Sequence, residues 1–285
     1  MLAVVACLSV VAGFAGALHP AGDSLAVFQL PLSVVAAIAV IWTGWSRWLR
    51  WPLALALTGL IGFHVASGIK PADASETGYA LYQKNLLFVA GDRSSLVADI
   101  RASGATLVTL QEVTRRNRAV LDNLKADFPA QHFCPFARVG GVAVLSRLPK
   151  VPGSERCAER DGLAAMQVEG PDGPVWVVSL HLHWPWPYGQ TDHVARLEPV
   201  LRGLEGPMLI GGDFNAVAWS HAVSRIEAVS GTRRLGHHLV TFQLPRLGMW
   251  IGIDHVLSNL PGGARTETRA ALGSDHFGVL ARFDM

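Results

Sequence analysis

The amino-acid sequence predicts an α/β (α+β) domain of two packed β-sheets flanked by helices, a four-layer sandwich, preceded by about three transmembrane helices. Two observations support this fold class. Half of the 285 residues are apolar, and only four formal charges occur before residue 71. The later part contains more strand-like segments than a doubly wound sheet with one helix per crossover needs, which favours two sheets with helices outside.

Residues 1–70 are predicted to form a membrane anchor. Apolar runs cover about residues 2–18, 32–49 and 52–69, each near the length that crosses a bilayer. For the first run alone, a signal peptide or a buried core helix is the alternative, but a signal peptide would have a basic start. Arg47 and Arg50 between the second and third runs predict a cytoplasmic turn. The amino terminus would then lie on the cytoplasmic side of the cell (inner) membrane. Everything after Lys70 would lie on the periplasmic or extracytoplasmic side.

Residues 71–78 are small and polar, as expected of a linker, and residues 79–285 form the predicted catalytic domain. The anchor holds three of the 24 basic residues and one of the 22 acidic residues, so the remainder carries 21 of each. A protein that binds long polynucleotides usually has a basic surface. A nucleic-acid partner stays open, but this charge balance does not favour it.

The domain begins with a strand, a helix and a second strand. Strands are predicted at residues 79–89 and 106–113, and the helix between them is capped by Asp92 or Ser94 and ends near Gly104. Further strands are predicted at residues 142–146, 163–168, 175–183, 208–212, 253–257 and 277–283, and further helices at residues 192–204 and 221–229. The last of these helices should end at Gly231.

Two cysteines, Cys134 and Cys157, lie in the predicted domain. An oxidising compartment would permit a disulfide between them, and two unpaired thiols are the alternative. The sequence leaves both open.

Acidic and amide residues occur at strand ends, where side chains emerge into clefts. In Gly211-Gly212-Asp213-Phe214-Asn215, an extended backbone would point Asp213 and Asn215 to one face. A turn that merely closes a loop is the alternative. Glu112 ends an apolar strand and is the first candidate ligand for a hard cation such as Mg²⁺, although a solvated end residue is the more ordinary interpretation.

Two Asp-His pairs lie near the carboxyl end, Asp254-His255 and Asp275-His276. Neighbours on a strand face opposite ways, so only one member of each pair should enter a site unless the backbone turns. An Asp of one pair could orient the His of the other for proton transfer or phosphate stabilisation.

His181 and His183 share one face of a predicted strand, and Asp192-His193 follows. Two histidines at this spacing can bind zinc, and the pattern is similar to the His-x-His-x-Asp-His motif of a class of zinc hydrolases. Here eight residues separate the two parts, which disfavours zinc.

In order and spacing, five motifs resemble the endonuclease/exonuclease/phosphatase superfamily. They are Lys-Asn-Leu-Leu, Leu-Gln-Glu-Val, Ser-Leu-His-Leu, Gly-Asp-Phe-Asn-Ala with Ile-Asp-His-Val, and Ser-Asp-His-Phe-Gly. The resemblance covers nearly all of residues 79–285 and is similar in detail to bacterial inner-membrane members. It implies Mg²⁺ (or Mn²⁺) at Asn85, Glu112 and Asp275, with Glu112 as the chief ligand.

The resemblance also implies catalytic roles. Asp213 would orient or deprotonate the attacking water, and Asn215 would bind the scissile phosphate. His276, oriented by Asp254, and His181 would stabilise the charge that develops on the phosphate, and His181 would also contact substrate. Which of Asp213 and His276 accepts the water proton stays open.

These expectations describe a metal-dependent phosphoesterase acting on a phosphodiester or phosphomonoester. The substrate would be nucleic acid, a phospholipid or a soluble ester, and the anchor favours one at the membrane surface. The segment Trp184-Pro185-Trp186-Pro187 would contact the bilayer surface or form a rigid proline loop packed on the domain. A catalytically silent membrane protein that keeps the fold for binding is the alternative of a different class.

Overall fold

A computed structural model describes residues 1–67, 78–158, 160–244 and 248–284 of the chain. The predicted linker, residues 71–78, and the end of the third apolar run lie outside these residues, apart from Gly78. The division into anchor, linker and catalytic domain therefore stays a prediction.

Eight helices and fourteen strands occur in the described residues. The helices are α1 (Leu2–Ala12), α2 (Ala21–Val27), α3 (Gln29–Ile41), α4 (Arg47–Ser67), α5 (Ser94–Ala102), α6 (Ala119–Asn123), α7 (Gln190–Arg202) and α8 (His221–Ser230). The first eight strands are β1 (Tyr79–Asn85), β2 (Leu107–Val113), β3 (Ala130–Ala137), β4 (Gly140–Ser146), β5 (Arg156–Ala158), β6 (Leu163–Gly170), β7 (Gly173–His181) and β8 (Met208–Asp213). The remaining strands are β9 (Arg233–Arg234), β10 (Phe242–Leu244), β11 (Met249–Ile251), β12 (Asp254–Ser258), β13 (Ala264–Arg269) and β14 (Gly278–Phe283).

The amino-terminal region forms four helices where three apolar runs were predicted. Among the described residues, no single helix is both long and apolar enough to cross a bilayer, whereas α2 and α3, bent by 75° at their junction, reach that length together. The chain doubles back between α1 and α2, where a Cβ on Gly22 would lie 2.3 Å from the Gly16 nitrogen. That close approach requires glycine. Residues 47–51, predicted as a turn, begin α4 instead.

Two six-stranded mixed sheets form the remainder. Their strand orders are β13-β14-β1-β2-β4-β3 and β5-β6-β7-β8-β12-β9, and β10 and β11 form a separate hairpin. Among the strands of the described residues, only the pairs β1–β2 and β7–β8 run parallel. The two-sheet prediction is confirmed.

The sheets pack face to face over an apolar core that includes Leu81, Val144, Val177, Leu209 and Val256. Helices α5 and α6 cover the outer face of the first sheet, and α7 and α8 cover the outer face of the second. The result is the expected four-layer arrangement, with apolar side chains removed from water at each of the three interfaces.

Element ends differ from the sequence predictions where local hydrogen bonds end them. Strand β1 stops at Asn85 because the Asn85 Oδ1 atom accepts from the Leu87 nitrogen, and Leu87 turns with a φ of 60°. Helix α8 agrees with its prediction. Ser220 caps it by accepting from the Val223 nitrogen, and Gly231 ends it with a φ of 64°.

Cys134 and Cys157 form a disulfide, with their Cα atoms 5.6 Å apart. The bond joins β3 at the edge of the first sheet to β5 at the edge of the second. It therefore fixes the two sheets to each other on one side of the sandwich.

The amino-terminal helices dock directly on the sandwich. The Asp23 carboxylate accepts hydrogen bonds from the His221 and Ala222 backbone nitrogens at 2.7 and 3.0 Å, and so caps α8 from a distant part of the chain. The Trp219 indole donates to the Ala26 carbonyl at 3.0 Å. An aspartate at a helix amino terminus satisfies free N–H groups and interacts favourably with the helix dipole.

Candidate active site

One row of side chains crosses the second sheet at the ends of β7, β8 and the start of β12. Residue His181 is paired with Asp213 across the parallel strands, and Asp213 is paired with Asp254 across the antiparallel strands. Since directly paired residues point to the same face, the three side chains form a continuous polar row. All three are buried.

The imidazole of His276 joins this row from the loop before β14. Its Nδ1 atom is hydrogen-bonded to Asp254 Oδ2 at 2.8 Å, and its Nε2 atom lies 3.8 Å from Asp213 Oδ2. The other Asp254 oxygen accepts from Gln83 Nε2 at 2.8 Å. The sequence-based expectation that an Asp of one pair orients the His of the other matches this geometry.

The two members of this pair shift each other's pKa. Burial alone would lower the pKa of His276, but the negative charges of Asp254 and Asp213 outweigh it and raise this pKa to about 9. Burial alone would raise the pKa of Asp254, and the His276 charge and hydrogen bond lower it below its usual value. Near neutral pH the pair is therefore an imidazolium beside a carboxylate.

Asp213 lies at the centre of the row. Its Oδ2 atom accepts from Asn85 Nδ2 at 2.9 Å, and its Oδ1 atom accepts from the Asn215 nitrogen at 2.9 Å. Burial raises the pKa of Asp213 to about 7, against the lowering effect of the His276 charge. A carboxyl group that titrates near neutrality can exchange a proton with water at physiological pH.

His181 is a neutral imidazole in this setting. Its Nε2 atom lies 3.5 Å from Asp213 Oδ2, and its Nδ1 atom has no hydrogen-bond partner among the described residues. Burial, together with the charge of His276, lowers the pKa of His181 to about 3. The two histidines therefore differ in charge although both lie beside Asp213.

Asn215 lies in a left-handed turn just after β8, with a φ of 47°, and not on the extended backbone that the sequence suggested. The aspartate turn considered as the alternative is present, because the Asn215 nitrogen bonds to the Asp213 side chain. Both side chains nevertheless line the same cleft. The Asn215 amide donates to the Leu182 carbonyl at 2.8 Å, which fixes its orientation.

Candidate oxygen ligands for a cation lie in the first sheet and in the loop before β14. Glu112 lies just before the end of β2 with a φ of 58°, and its Oε2 atom accepts from the Phe88 nitrogen at 2.6 Å. Burial raises the pKa of Glu112, and hydrogen bonds from Phe88 and Asn85 oppose this. Asp275 is exposed and lines the same cleft as Glu112.

This donor set suits a hard divalent cation. Carboxylate and amide oxygens are the ligands Mg²⁺ prefers, and few protein ligands are needed because Mg²⁺ retains several waters. A second group, Asp213, Asp254 and His276, also presents potential ligand atoms within 4.8 Å of one another. In that group, Asp254 and His276 already bond to each other.

A cleft of about 480 Å³ connects these residues. Its lining includes the aromatic residues Phe136, Trp184, Tyr188 and Phe242 and the polar residues Glu112, His181, Asp213, Asn215, Asp275 and His276. The backbone of the loop before β14 turns at Asp275, so both members of this Asp-His pair reach the cleft. In the other pair, Asp254 meets the cleft residues through its hydrogen bond to His276, while the His255 imidazole bonds to the Ala216 carbonyl.

The zinc arrangement weighed from the sequence does not form in the described residues. Both ring nitrogens of His193 are engaged, one by the His183 backbone nitrogen and the other with the Asp161 carbonyl. Asp192 is exposed on α7. The rings of His183 and His193 both stack with Phe136, and of these three residues Phe136 and His183 line the cleft.

Sequence reasoning missed three supporting residues. Gln83 bonds to Asp254, and it shares a strand face with Asn85, a signal that alternation could have supplied. Thr241 hydrogen-bonds to Asp254 from the loop before β10, and nothing in the sequence marks it. The buried Lys84 ammonium donates to the His276 and Ala270 carbonyls and so holds the loop that carries His276.

The fold and the site together define a metal-dependent hydrolase of phosphate esters. The model of the Endonuclease/Exonuclease/phosphatase family matches residues 83–276, which is more than half of the chain, and the chain belongs to this family. No curated protein matches it by sequence.

Solved structures share the fold at low sequence identity. Truncated TDP2 from Caenorhabditis elegans has a TM-score of 0.59 and 15% identity, and the match covers 75% of this chain and 100% of that one. Sphingomyelinase C from Streptomyces griseocarneus has a TM-score of 0.53 and 17% identity, covering 75% and 100%. A beta toxin variant from Staphylococcus aureus with bound magnesium ions has a TM-score of 0.54 and 14% identity, covering 73% and 100%.

Proposed function

We propose that this chain hydrolyses a phosphodiester or phosphomonoester by metal-assisted attack of water, with its catalytic domain at the outer face of the membrane. The observation that carries the chemical part is the buried group of Asp213, His181 and His276 around one point of the cleft. It combines a carboxyl group that titrates near neutrality with one neutral and one charged imidazole.

Mg²⁺ or Mn²⁺ would be held by Glu112 as chief ligand, with Asn85 and Asp275 completing its surroundings. The fit rests on the donor chemistry and on Glu112, a partly buried carboxylate whose raised pKa indicates that the described residues do not neutralise its charge. When bound, such a cation supplies positive charge to the phosphate oxygens and favours deprotonation of water.

The protein residues divide the remaining work by charge. Asp213 orients the attacking water and accepts its proton, because its pKa of about 7 matches the operating pH. His276, kept protonated by Asp254, stabilises the negative charge that develops on the phosphate. This division assigns the water proton to Asp213, a choice that the sequence left open.

Substrate binding falls to Asn215 and His181. The Asn215 side chain lines the cleft and would contact the scissile phosphate with its amide group. His181 has an unpartnered ring nitrogen among the described residues, and this nitrogen is available for a hydrogen bond to a phosphate oxygen or to the leaving oxygen. A buried polar atom without a partner is costly unless a ligand satisfies it.

The membrane location is supported by the outer faces of the helices. Leu2, Val5, Leu8 and Val11 of α1 are all more than half exposed to the surroundings, which is unusual for an apolar helix in water. The disulfide between Cys134 and Cys157 fits a domain in an oxidising compartment outside the cytoplasm. A substrate at the membrane surface follows from this placement.

Hydrolysis of bis(p-nitrophenyl) phosphate by the full chain in detergent micelles tests the chemical proposal. We expect activity with Mg²⁺ or Mn²⁺, none with chelator, and a loss of at least about 100-fold in Glu112→Gln, Asp213→Asn and His276→Ala. The matched control is Glu169→Gln, because Glu169 is an exposed glutamate on β6. Equal activity in all variants would place the site elsewhere, and no activity on any phosphoester would favour a binding protein.

The location is tested separately with reporters fused after Met285. Alkaline phosphatase is active outside the cytoplasm, so its fusion should be active. Green fluorescent protein does not fluoresce after export through the general secretory route, so its fusion should not fluoresce. The opposite pattern would put the domain in the cytoplasm.

A further inference from the structure

A basic rim lies beside the catalytic cleft. Arg115, Arg116 and Arg138 line a cavity of about 430 Å³ together with Phe88 and Ala137, and these last two residues also line the catalytic cleft. The two cavities are therefore contiguous. None of the residues that line the rim cavity is acidic.

The three arginines are unpaired within the described residues. All three are exposed, and none makes a side-chain hydrogen bond or an ion pair there. The neighbouring Arg118 differs, because its guanidinium lies over the Phe133 ring. Three like charges that converge without partners repel one another, and a bound anion would relieve this repulsion.

The turn that carries Arg115 and Arg116 is fixed to the proposed metal ligand. Asn117 is fully buried, accepts from the Thr114 nitrogen and donates to the Glu112 carbonyl at 2.9 Å. The Thr114 hydroxyl donates to the Phe88 carbonyl at 3.1 Å, and the Phe88 nitrogen donates to the Glu112 carboxylate. The spacing between this turn and the catalytic centre is thus set by a short chain of hydrogen bonds.

The third arginine comes from the turn between β3 and β4, which is packed against the same strand end. Gly140 has a φ of 102°, and a Cβ there would lie 2.8 Å from the Val113 carbonyl oxygen. Only glycine allows this close approach, and it brings Arg138 to the same cavity as Arg115 and Arg116.

We propose that this basic rim binds a second phosphate group of the substrate, next to the scissile one, so that the preferred substrate carries two phosphates. The guanidinium group is planar and binds phosphate oxygens through paired hydrogen bonds, which suits it to this role. The formal net charge of zero for residues 71–285 conceals this local concentration. The inference rests on the proposed function only in placing the scissile phosphate at Asp213 and His276.

Two substrate pairs test the proposal and identify the source of the second phosphate. The first pair is thymidine 5′-(p-nitrophenyl phosphate) with and without a 3′-phosphate. The second pair is phosphatidylinositol 4-phosphate and phosphatidylinositol in phosphatidylcholine vesicles. For the full chain in detergent or in bilayers, we expect KM to be about tenfold lower for the doubly phosphorylated member of at least one pair.

Two triple variants distinguish an effect of the basic rim from an effect of the overall charge of the protein. In Arg115→Ala/Arg116→Ala/Arg138→Ala, the KM ratio should fall to about 1, with kcat on the singly phosphorylated substrate unchanged. The matched control is Arg202→Ala/Arg233→Ala/Arg265→Ala, which removes three other exposed arginines and should keep the ratio. A wild-type ratio near 1 for both pairs, or an equal loss in the control, would overturn the proposal.

Calorimetric binding of thymidine 3′,5′-bisphosphate against thymidine 5′-phosphate needs no turnover. Preferential binding that depends on the three arginines, without hydrolysis of any phosphoester, would keep the anion site and remove the proposed function. Hydrolysis without any preference for the second phosphate in binding or KM would keep the proposed function and remove the anion site.

Discussion

The buried pair of Asp254 and His276 makes stability depend on pH in a defined direction. The pKa of His276 rises from 6.5 to about 9 in the folded chain, mainly through the charges of Asp254 and Asp213. At about 1.4 kcal/mol for each pH unit of this rise, the charged imidazole contributes up to about 3.5 kcal/mol to the free energy of unfolding. A histidine with a raised pKa gives this stability fully below about pH 6.5 and loses it as the pH rises through about 9.

The substitution Asp254→Asn removes the partner without changing its shape. For a domain of this size, each kcal/mol changes the melting temperature by about 2–4 °C, so a loss of about 3.5 kcal/mol lowers it by about 7–14 °C near pH 6. Near pH 10 the wild-type imidazole is neutral as well, so the difference between the two proteins should shrink to a small fraction of that. Melting curves of the full chain in detergent and chelator, recorded from pH 6 to 10, measure this difference.

Asp127→Asn is the control for this series. Asp127 pairs with Arg101 on the surface, where both side chains are partly exposed, and such pairs contribute little at any pH. A difference between wild type and Asp254→Asn that stays constant from pH 6 to 10 would refute the charged-imidazole assignment. A difference confined to the control would show that surface pairs dominate.

Three further results are expected. Mg²⁺ or Mn²⁺ at about 100 times its dissociation constant should stabilise the wild type by about 2.7 kcal/mol, which is measured as a higher melting temperature. Glu112→Gln should lose most of this rise in melting temperature. An unchanged rise in the variant would exclude Glu112 as the chief ligand. Asp23→Ala should lower the free energy of unfolding by about 1–2 kcal/mol, because α8 loses the cap that Asp23 provides. The control Asp122→Ala, at an exposed aspartate, should leave this free energy unchanged. Equal melting curves for the wild type and both variants would contradict the docking of α2 on α8. Cys157→Ser should cost about 3 kcal/mol, and reductant should lower the melting temperature of the wild type to that of the variant; a wild type insensitive to reductant would refute the cross-link between the sheets.

The catalytic strands could be predicted because their sequences combine apolar alternation with a polar end. Strands β2, β7, β8 and β12 each bury most of their length. Strands β7, β8 and β12 end or begin at a candidate site residue, and β2 carries Glu112 one residue before its end. The edge strands gave no such signal. Strand β3 contains Pro135 and exposes part of its length, and β13 exposes Arg265 and Thr268, as edge strands commonly do.

The residues of the site were easier to predict than their neighbours. Asp213 and Glu112 lie at or near the ends of apolar strands, where a carboxylate stands out in the local sequence. Thr241 lies in a loop, and it bonds to Asp254 only because the folded chain brings these two residues, thirteen apart in sequence, together. The basic rim was hidden for a related reason. A net charge summed over the sequence does not say where the charges lie, and Arg138 lines the same cavity as Arg115 because β4 pairs with β2.

The cross-strand row of His181, Asp213 and Asp254 restricts how this chain can change. A slip of β8 by one residue would place Gly212 in the row and turn the Asp213 carboxylate toward the other face of the sheet, where α7 and α8 pack. Insertions or deletions inside these three strands would therefore dismantle the chemistry even if the sheet survived. The loop that carries Trp184 and Tyr188 lines the cleft without holding any of these residues, so new specificities can arise there while the alignment of the strands is inherited unaltered.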